Sequence, residues 1–105
     1  MVSEIYFQQI KSILRELYGE RLVQIIVFGS EARGDAEPDS DIDILVLLKG
    51  PVAAWRERKR ILSALYFLQL AIPDRHLSFI PADVAAYEEE RIPLYASVRQ
   101  EGIRL

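Results

Sequence analysis

Two uninterrupted apolar runs, Leu22–Phe28 and Ile42–Leu48, stand out in the hydrophobic pattern of the chain. Both are rich in β-branched residues and are bounded by polar residues or glycine, which is the pattern of strands buried on both faces of a sheet. A polar loop joins them, opening at Gly29 and closing at Asp41. The polar groups of this segment therefore lie where two buried strands end.

Helical spacing of apolar residues flanks the two strands. One helix is predicted over residues 3–18, with Ser3 as its candidate N-cap and Gly19 at its end. A longer helix is predicted over residues 52–70, beginning just after Pro51.

The last third of the chain predicts shorter elements. Residues 75–80 predict a third strand that stops before Pro81, and residues 83–90 and 93–99 predict two short helices. The expected architecture is a single α/β domain over residues 1–105, a small mixed β-sheet with helices packed mainly on one face.

Asp41 and Asp43 are the first candidate site residues. Residues two apart in a strand point to the same face, so the two carboxylates lie side by side at the edge of an apolar strand. Such a pair repels itself and is costly to bury unpaired, which predicts a cation beside it. Carboxylate oxygens, completed by water and substrate phosphates, are the usual ligands of Mg²⁺.

The other end of the loop offers groups suited to phosphate. Gly29 permits close approach of the backbone to a ligand, and Ser30 supplies a hydroxyl and an N–H. Arg33 adds a permanent cation with a planar set of donors. Together these residues predict a phosphate cradle facing the two aspartates.

These residues resemble a known family. The segments GSEARG at 29–34 and SDIDILV at 40–46, with their spacing and flanking strands, are similar to the DNA polymerase β-like nucleotidyltransferases, and above all to the minimal nucleotidyltransferase (MNT) branch. The alternative reading of the same segment is a strand, a loop and a strand whose aspartates only cap the second strand.

The resemblance implies transfer of AMP from Mg·ATP to a hydroxyl. Asp41 and Asp43 would hold one or two Mg²⁺ ions and act in catalysis with Ser30, while Gly29, Ser30 and Arg33 would bind the nucleotide phosphates. Stand-alone MNT proteins resemble the antitoxins of HEPN/MNT toxin–antitoxin systems, which implies a tyrosine of a HEPN ribonuclease toxin as the acceptor. Two alternatives stay open: an antitoxin that neutralises its partner by occlusion without transfer, and a self-contained small-molecule transferase.

One position departs from the family pattern. Relatives place a third carboxylate on the strand beside the Asp-x-Asp strand, and here Ser78 occupies that position. A serine does not replace the negative charge and is not a base at neutral pH. His76 shares a face with Ser78 in a regular strand and is a candidate base, whereas Asp74 and Asp83 lie just outside the strand and are weaker substitutes.

The predicted helix over residues 52–70 has two chemically different parts. Residues 56–60 form a basic run with one acid, interpreted as a solvated face; the alternative is a clamp on a triphosphate or on RNA held by a partner. Residues 61–70 are apolar around most of the helix, which indicates burial or cover by another subunit. The part around Leu65–Leu70 is a candidate docking face for the toxin, and cover by a second copy is the alternative.

Composition narrows the classes of function. The net charge is −3 and the pI is near 5.1, which argues against general or sequence-specific binding of nucleic acid. The chain has no cysteine, so disulfides and thiolate zinc sites are excluded. Neither a signal-peptide pattern nor a run long enough to span a bilayer is present, and the expected location is the cytoplasm.

Overall fold

A four-stranded mixed sheet forms the centre of the computed structural model, which describes residues 4–105. Its strands are β1 (Leu22–Phe28), β2 (Ile42–Leu48), β3 (Leu77–Asp83) and β4 (Ile103–Arg104). Their order is β3-β2-β1-β4, and β2 pairs antiparallel with β1 and parallel with β3, while β4 pairs antiparallel with β1. The bounds predicted for the first two strands and the mixed character of the sheet are confirmed.

Helices cover both faces of this sheet. They are α1 (Glu4–Tyr18), α2 (Ser30–Arg33), α3 (Ala54–Ala64), α4 (Tyr66–Ala71), α5 (Val84–Glu88) and α6 (Pro93–Glu101). The first helix ends where it was predicted to end, and Gly19, with a φ of 55°, leads into a 3₁₀ turn. The predicted N-cap Ser3 lies outside the described residues.

Alternation along β2 divides the core in two. The even-numbered residues of β2 pack with α1, α3 and α4, and the odd-numbered residues from Leu45 onward pack with α5 and α6. Most helical residues thus lie on one face, as expected. Both faces of β2 are apolar from Ile44 onward because both are covered, and each fully buried side chain contributes about 1.5 to 3 kcal/mol to folding. Asp43 shares its face with Leu45 and Leu47, on the side of α5 and α6.

The predicted bounds of the third strand were wrong at both ends. The strand begins at Leu77 and runs through Pro81 to Asp83. Proline is tolerated because β3 is an edge strand, where alternate N–H groups have no strand partner to lose. Parallel pairing with β2 then aligns Ile42 with Leu77 and Asp43 with Ser78.

The helix predicted over residues 52–70 was also wrong in its start and its continuity. It begins at Ala54 and is interrupted at Leu65, whose φ of −103° and ψ of 10° separate α3 from α4. Leu65 is buried in the core, and the Tyr6 hydroxyl donates to the Leu68 carbonyl at 3.0 Å, so tertiary packing sets the direction of α4. Within residues 4–105 no helix combines the length and apolarity needed to cross a membrane.

Candidate nucleotide and metal site

Gly29 turns the chain from β1 into the single turn of α2. Its φ of 73° and ψ of −151° are accessible to glycine and strained for other residues. The Gly29 carbonyl accepts from the Arg33 N–H at 3.1 Å, and the Ser30 carbonyl accepts from the Asp35 N–H at 3.1 Å. Gly34, with a φ of 80°, then ends the turn. The backbone around Ser30 is therefore fixed by two glycines and two hydrogen bonds.

The carboxylate of Asp43 lies directly against Gly29. Phe28 and Asp43 are register partners on β1 and β2, which brings the next residue, Gly29, beside the carboxylate. A β-carbon at position 29 would lie 2.5 Å from Oδ2 of Asp43, closer than real contacts of this kind. The sequence placed these two residues at the two ends of one loop, and the sheet register brings them together.

The negative charge of Asp41 acts on Asp43, so Asp41 belongs to the same candidate site. Burial, and then the negative charge of Asp41, raise the pKa of Asp43 above its ordinary range, while the charge of Arg33 partly opposes them. Asp43 is half-buried and Asp41 is exposed. The two carboxylates thus repel each other, and a cation bound by both would relieve that repulsion.

Arg33 lies at the margin of the site with two carboxylate partners. Its Nε donates to Asp35 at 3.3 Å and its terminal nitrogen donates to Glu101 at 3.2 Å. The Arg33 side chain remains 46% exposed. A phosphate would compete with these exposed partners for the guanidinium, and such surface pairs are weak enough to exchange.

Ser78 is the neighbour of Asp43 on β3 and lies on the same face of the sheet. The position expected for a third acid is therefore beside the aspartates, and it holds a hydroxyl. His76 is exposed just before β3, and its carbonyl accepts from the Ile42 N–H at 2.9 Å. Asp83 is paired with Leu48 at the far end of β2, about 16 Å along the strand, and its side chain caps α5 at the Ala85 N–H.

The donor set fits a hard divalent cation held partly by its substrate. Among residues 4–105 no three His, Cys, Asp or Glu side chains converge on one point, so no closed metal cage is formed there. Two carboxylates beside an open glycine turn suit Mg²⁺, which keeps waters and binds substrate phosphates. The side chains that would hold it are Asp41 and Asp43.

Sequence patterns missed one buried pair beside this site. Arg75 is buried, its Nε donates to the Ser40 carbonyl at 2.8 Å, and its terminal nitrogen lies 2.6 Å from Oε1 of Glu31. Glu31 is on α2 and Arg75 is in the turn before β3, 44 residues later. Neither helical nor strand periodicity links residues so far apart, so nothing in the sequence marked them as partners.

Comparison with known proteins assigns the family. A model of the nucleotidyltransferase domain matches residues 7–102. This match covers nearly the whole chain, and the chain therefore belongs to the nucleotidyltransferase domain family. The resemblance carried by the two motifs is confirmed.

Two curated relatives come from Methanocaldococcus jannaschii, and both carry the name "Putative protein adenylyltransferase". One is 33% identical over 55 residues, which are 52% of this chain and 54% of the relative. The other is 43% identical over 47 residues, which are 45% of this chain and 47% of the relative. The matched region thus spans about half the length of each relative.

Solved structures of toxin–antitoxin pairs share the fold. A mutant form of the MntA–HepT pair gives a TM-score of 0.57 at 24% identity, covering 100% of this chain and 72% of that chain. A toxin–antitoxin structure with AMP-PNP gives a TM-score of 0.55 at 21% identity, covering 98% and 72%. At these levels of sequence identity the similarity shows a shared fold alone.

Proposed function

We propose that the protein is an antitoxin of the nucleotidyltransferase type that transfers AMP from Mg·ATP to a tyrosine hydroxyl of a HEPN ribonuclease toxin. The observation that carries the proposal is the Asp43 carboxylate lying against Gly29, with the negative charge of Asp41 acting on it. The names of the two relatives and the toxin–antitoxin pairs among the structural neighbours support the choice of reaction and partner. A reaction that consumes ATP suits the cytoplasm.

In this proposal each side chain of the site has one task. Asp41 and Asp43 would hold the metal-bound triphosphate, and the absence of a side chain at Gly29 would let a phosphate approach the Ser30 hydroxyl and N–H. Arg33 exchanges its surface carboxylates for phosphate oxygens. Bound Mg²⁺ would neutralise charge on the triphosphate and favour departure of pyrophosphate.

The transfer balances as a single displacement. The acceptor oxygen forms a bond to the α-phosphorus, the bond from that phosphorus to the bridging oxygen breaks, and pyrophosphate leaves with the bond electrons. The hydroxyl proton needs an acceptor, and His76 is the candidate because it is exposed two residues before Ser78. The chain's contribution is positioning and charge, which carry most of the effect in phosphoryl chemistry.

The α3–α4 surface is the proposed docking face for the toxin. Five large apolar side chains are exposed there, Trp55, Leu62, Tyr66, Phe67 and Leu70. The basic side chains of residues 56–60 are exposed around them, whereas the one acid of that run, Glu57, is buried and paired internally. An apolar stripe with a basic border fits a partner surface that is apolar at its centre and acidic at its rim.

Ser78 supports a second candidate function, an antitoxin that neutralises its toxin by occlusion and transfers nothing. The hydroxyl beside Asp43 leaves the site without its third acid. In that case the nucleotide and metal would bind without turnover.

Intact mass spectrometry separates the two candidates. The protein is incubated with Mg·ATP and with the HEPN toxin that is its candidate partner, and the intact masses of both chains are measured. Transfer predicts a gain of one or more adenylyl groups on the toxin, abolished in the Asp41→Asn, Asp43→Asn double variant. Asp39→Asn is the matched control, because Asp39 is an exposed acid of the same loop.

Toxin neutralisation by the double variant completes the test. If the double variant binds and neutralises the toxin as well as the wild type, occlusion is the mechanism and transfer is rejected. If no complex forms and the toxin gains no adenylyl group, both antitoxin functions are rejected.

A further inference from the structure

Arg75 joins the two halves of the candidate site. It is 8% exposed and lies in the turn before β3, held there by Gln69, whose amide donates to the Arg75 carbonyl at 2.7 Å. One side of its guanidinium donates to the Ser40 carbonyl at 2.8 Å, and the other lies 2.6 Å from Glu31. Ser40 directly precedes Asp41, and Glu31 directly follows Ser30.

The loop between these two contacts has few other anchors. Over residues 34–41, the N–H groups of Gly34 and Asp35 both donate to the Ser30 carbonyl, and the Ser40 N–H donates to the Glu37 carbonyl at 3.1 Å. The Ser40 hydroxyl also accepts from the Glu37 N–H at 2.8 Å. These contacts are local to the loop. The pairing of Phe28 with Asp43 joins the ends of the two strands, and the Arg75 guanidinium adds a side-chain tie between Ser40, at the aspartate end of the loop, and Glu31, in the serine turn.

We infer that Arg75 is a positioning residue of the nucleotide site, and that it sets the separation of Asp41 from the Ser30 turn by clamping Ser40 and Glu31. The inference rests on the proposed function, because a fixed separation matters where one triphosphate must contact both ends of the loop. Groups behind metal ligands commonly change metal affinity 10- to 100-fold when removed, which sets the expected size at about tenfold or more.

The geometry of the pair favours positioning over stability. Oε1 of Glu31 and the second terminal nitrogen of Arg75 are buried without aligned hydrogen-bond partners, so the close contact is one of charge. A cavity of about 310 Å³ adjoins both side chains and the loop residues Ala36 and Pro38. Well-packed apolar residues commonly stabilise a fold as much as such a pair does. A clamp made of the hydrogen bond to the Ser40 carbonyl and the charge contact with Glu31 accounts for the arrangement better.

The chain supplies a matched control at the other end of β2. Arg21 makes the same kind of clamp: its Nε donates to the Lys49 carbonyl at 3.0 Å, and a terminal nitrogen pairs with buried Glu57 at 3.0 Å. Its other terminal nitrogen donates to the Pro51 carbonyl at 2.8 Å. This clamp holds the turn farthest from Asp41 along the strand, so its loss should affect folding alone.

The experiment compares Arg75→Gln with Arg21→Gln on the full chain. Two readouts report on the site: Mg·ATP affinity by calorimetry, and amide hydrogen exchange at Asp35 and Ser40 without metal or nucleotide. Thermal unfolding gives the stability of each variant. Arg75→Gln is expected to weaken Mg·ATP affinity about tenfold or more and to speed exchange at both amides. Arg21→Gln is expected to lower the unfolding midpoint and to leave both readouts at their wild-type values.

The outcomes separate this inference from the proposed function. Unchanged affinity and exchange in Arg75→Gln, or equal changes in Arg21→Gln, overturn the positioning role while the proposed function stands. If the wild type does not bind Mg·ATP, the proposed function fails. The exchange data then test the clamp by themselves: faster exchange at Asp35 and Ser40 in Arg75→Gln, but not in Arg21→Gln, supports it, and any other result overturns it. If Arg75→Gln does not fold, Glu31→Gln replaces it, because it removes the charge contact and keeps the side-chain volume.

Discussion

Asp43 on β2 and Ser78 on β3 are register partners on the same face of two parallel strands. The carboxylate therefore has a hydroxyl beside it on one side and the open Gly29 turn on the other. This pairing decides how much negative charge the site offers to a metal. It also places the serine that stands where a third acid was expected next to Asp43 on the neighbouring strand.

Ser78→Asp is expected to strengthen metal binding. A third carboxylate on this face adds charge next to Asp43, which should raise Mg²⁺ affinity and any AMP transfer while destabilising the metal-free protein through repulsion. Calorimetric titration with Mg²⁺ and thermal unfolding without it measure the two effects. Ser78→Asn is the uncharged control of similar size, and equal Mg²⁺ affinity in the two variants would contradict the prediction.

Gly29→Ala is expected to damage the site more than Gly34→Ala. Both glycines have positive φ, at 73° and 80°, so alanine costs about 1 to 3 kcal/mol of backbone strain at either position, and the ψ of −151° at Gly29 lies in a region essentially confined to glycine. Only at position 29 does the new β-carbon meet a side chain, the carboxylate of Asp43, whereas nothing lies within 4 Å at position 34. Mg·ATP affinity should therefore fall in Gly29→Ala and persist in Gly34→Ala, as measured by calorimetry on folded samples.

The raised pKa of Asp43 predicts opposite pH responses of stability and of metal binding. A carboxyl group with a raised pKa holds its proton more tightly when folded, so its ionised form destabilises the fold. Folding should gain from this group as pH falls from 7 through the raised pKa toward the ordinary value of about 4. Mg²⁺ affinity should fall over the same range, because the ligand must be ionised.

Asp43→Asn tests this reading directly. Without metal it should be at least as stable as the wild type at pH 7, and the pH dependence attributed to Asp43 should disappear. Urea unfolding at a series of pH values makes the comparison, with Asp39→Asn as the control. A marked loss of stability in Asp43→Asn at pH 7 would show that the carboxylate is not under repulsion.

Glu57 carries a stabilising network at the opposite end of the sheet. Its carboxylate accepts from Tyr18 and Arg21, each at 3.0 Å, and from Arg60 at 3.2 Å. Burial alone would raise the pKa of Glu57, but these hydrogen bonds and charges outweigh it and lower the pKa. The stability it supplies is therefore present above its unfolded pKa of about 4.3 and is lost as pH falls through the lower folded value.

Glu57→Gln should cost about 1 to 2 kcal/mol at pH 7, since both arginines are partly exposed and solvent screens their charges. Urea unfolding at pH 7 and near pH 3 measures the cost. The difference from wild type should shrink at the lower pH. Glu16→Gln is the control, because Glu16 is exposed on α1. If Glu57→Gln lowers the free energy of unfolding equally at both pH values, the effect comes from packing and not from charge.

Phe67 tests the proposed docking face. It is 82% exposed, so Phe67→Ser should change the free energy of unfolding by about 0.5 kcal/mol or less. Exposed aromatic residues at the centre of an interface commonly dominate binding, and affinity for the toxin should fall about tenfold or more. Ile5→Ser is matched, because Ile5 is 69% exposed on α1. Equal toxin affinity of wild type and Phe67→Ser by surface plasmon resonance would remove α4 from the interface.

Local pattern predicted the elements best where one segment alone decides the outcome. The bounds of β1 and β2 follow from apolar runs buried on both faces. The predicted bounds were wrong where contacts with residues distant in the sequence set the ends of an element. Pro81 lies within β3 because that strand is at the sheet edge, and α3 ends before Leu65 because core packing redirects the helix.

The sequence by itself determined the chemistry of the site: two aspartates at strand period, a glycine–serine turn, and a serine in place of the third acid. Those properties depend on residue type and on short spacing, which no later packing changes. Tertiary structure alone decided that Asp43 lies on Gly29, that Ser78 lies beside Asp43, and that Arg75 clamps the loop between them. Sheet register and contacts across dozens of residues set these relationships, and local sequence does not encode them.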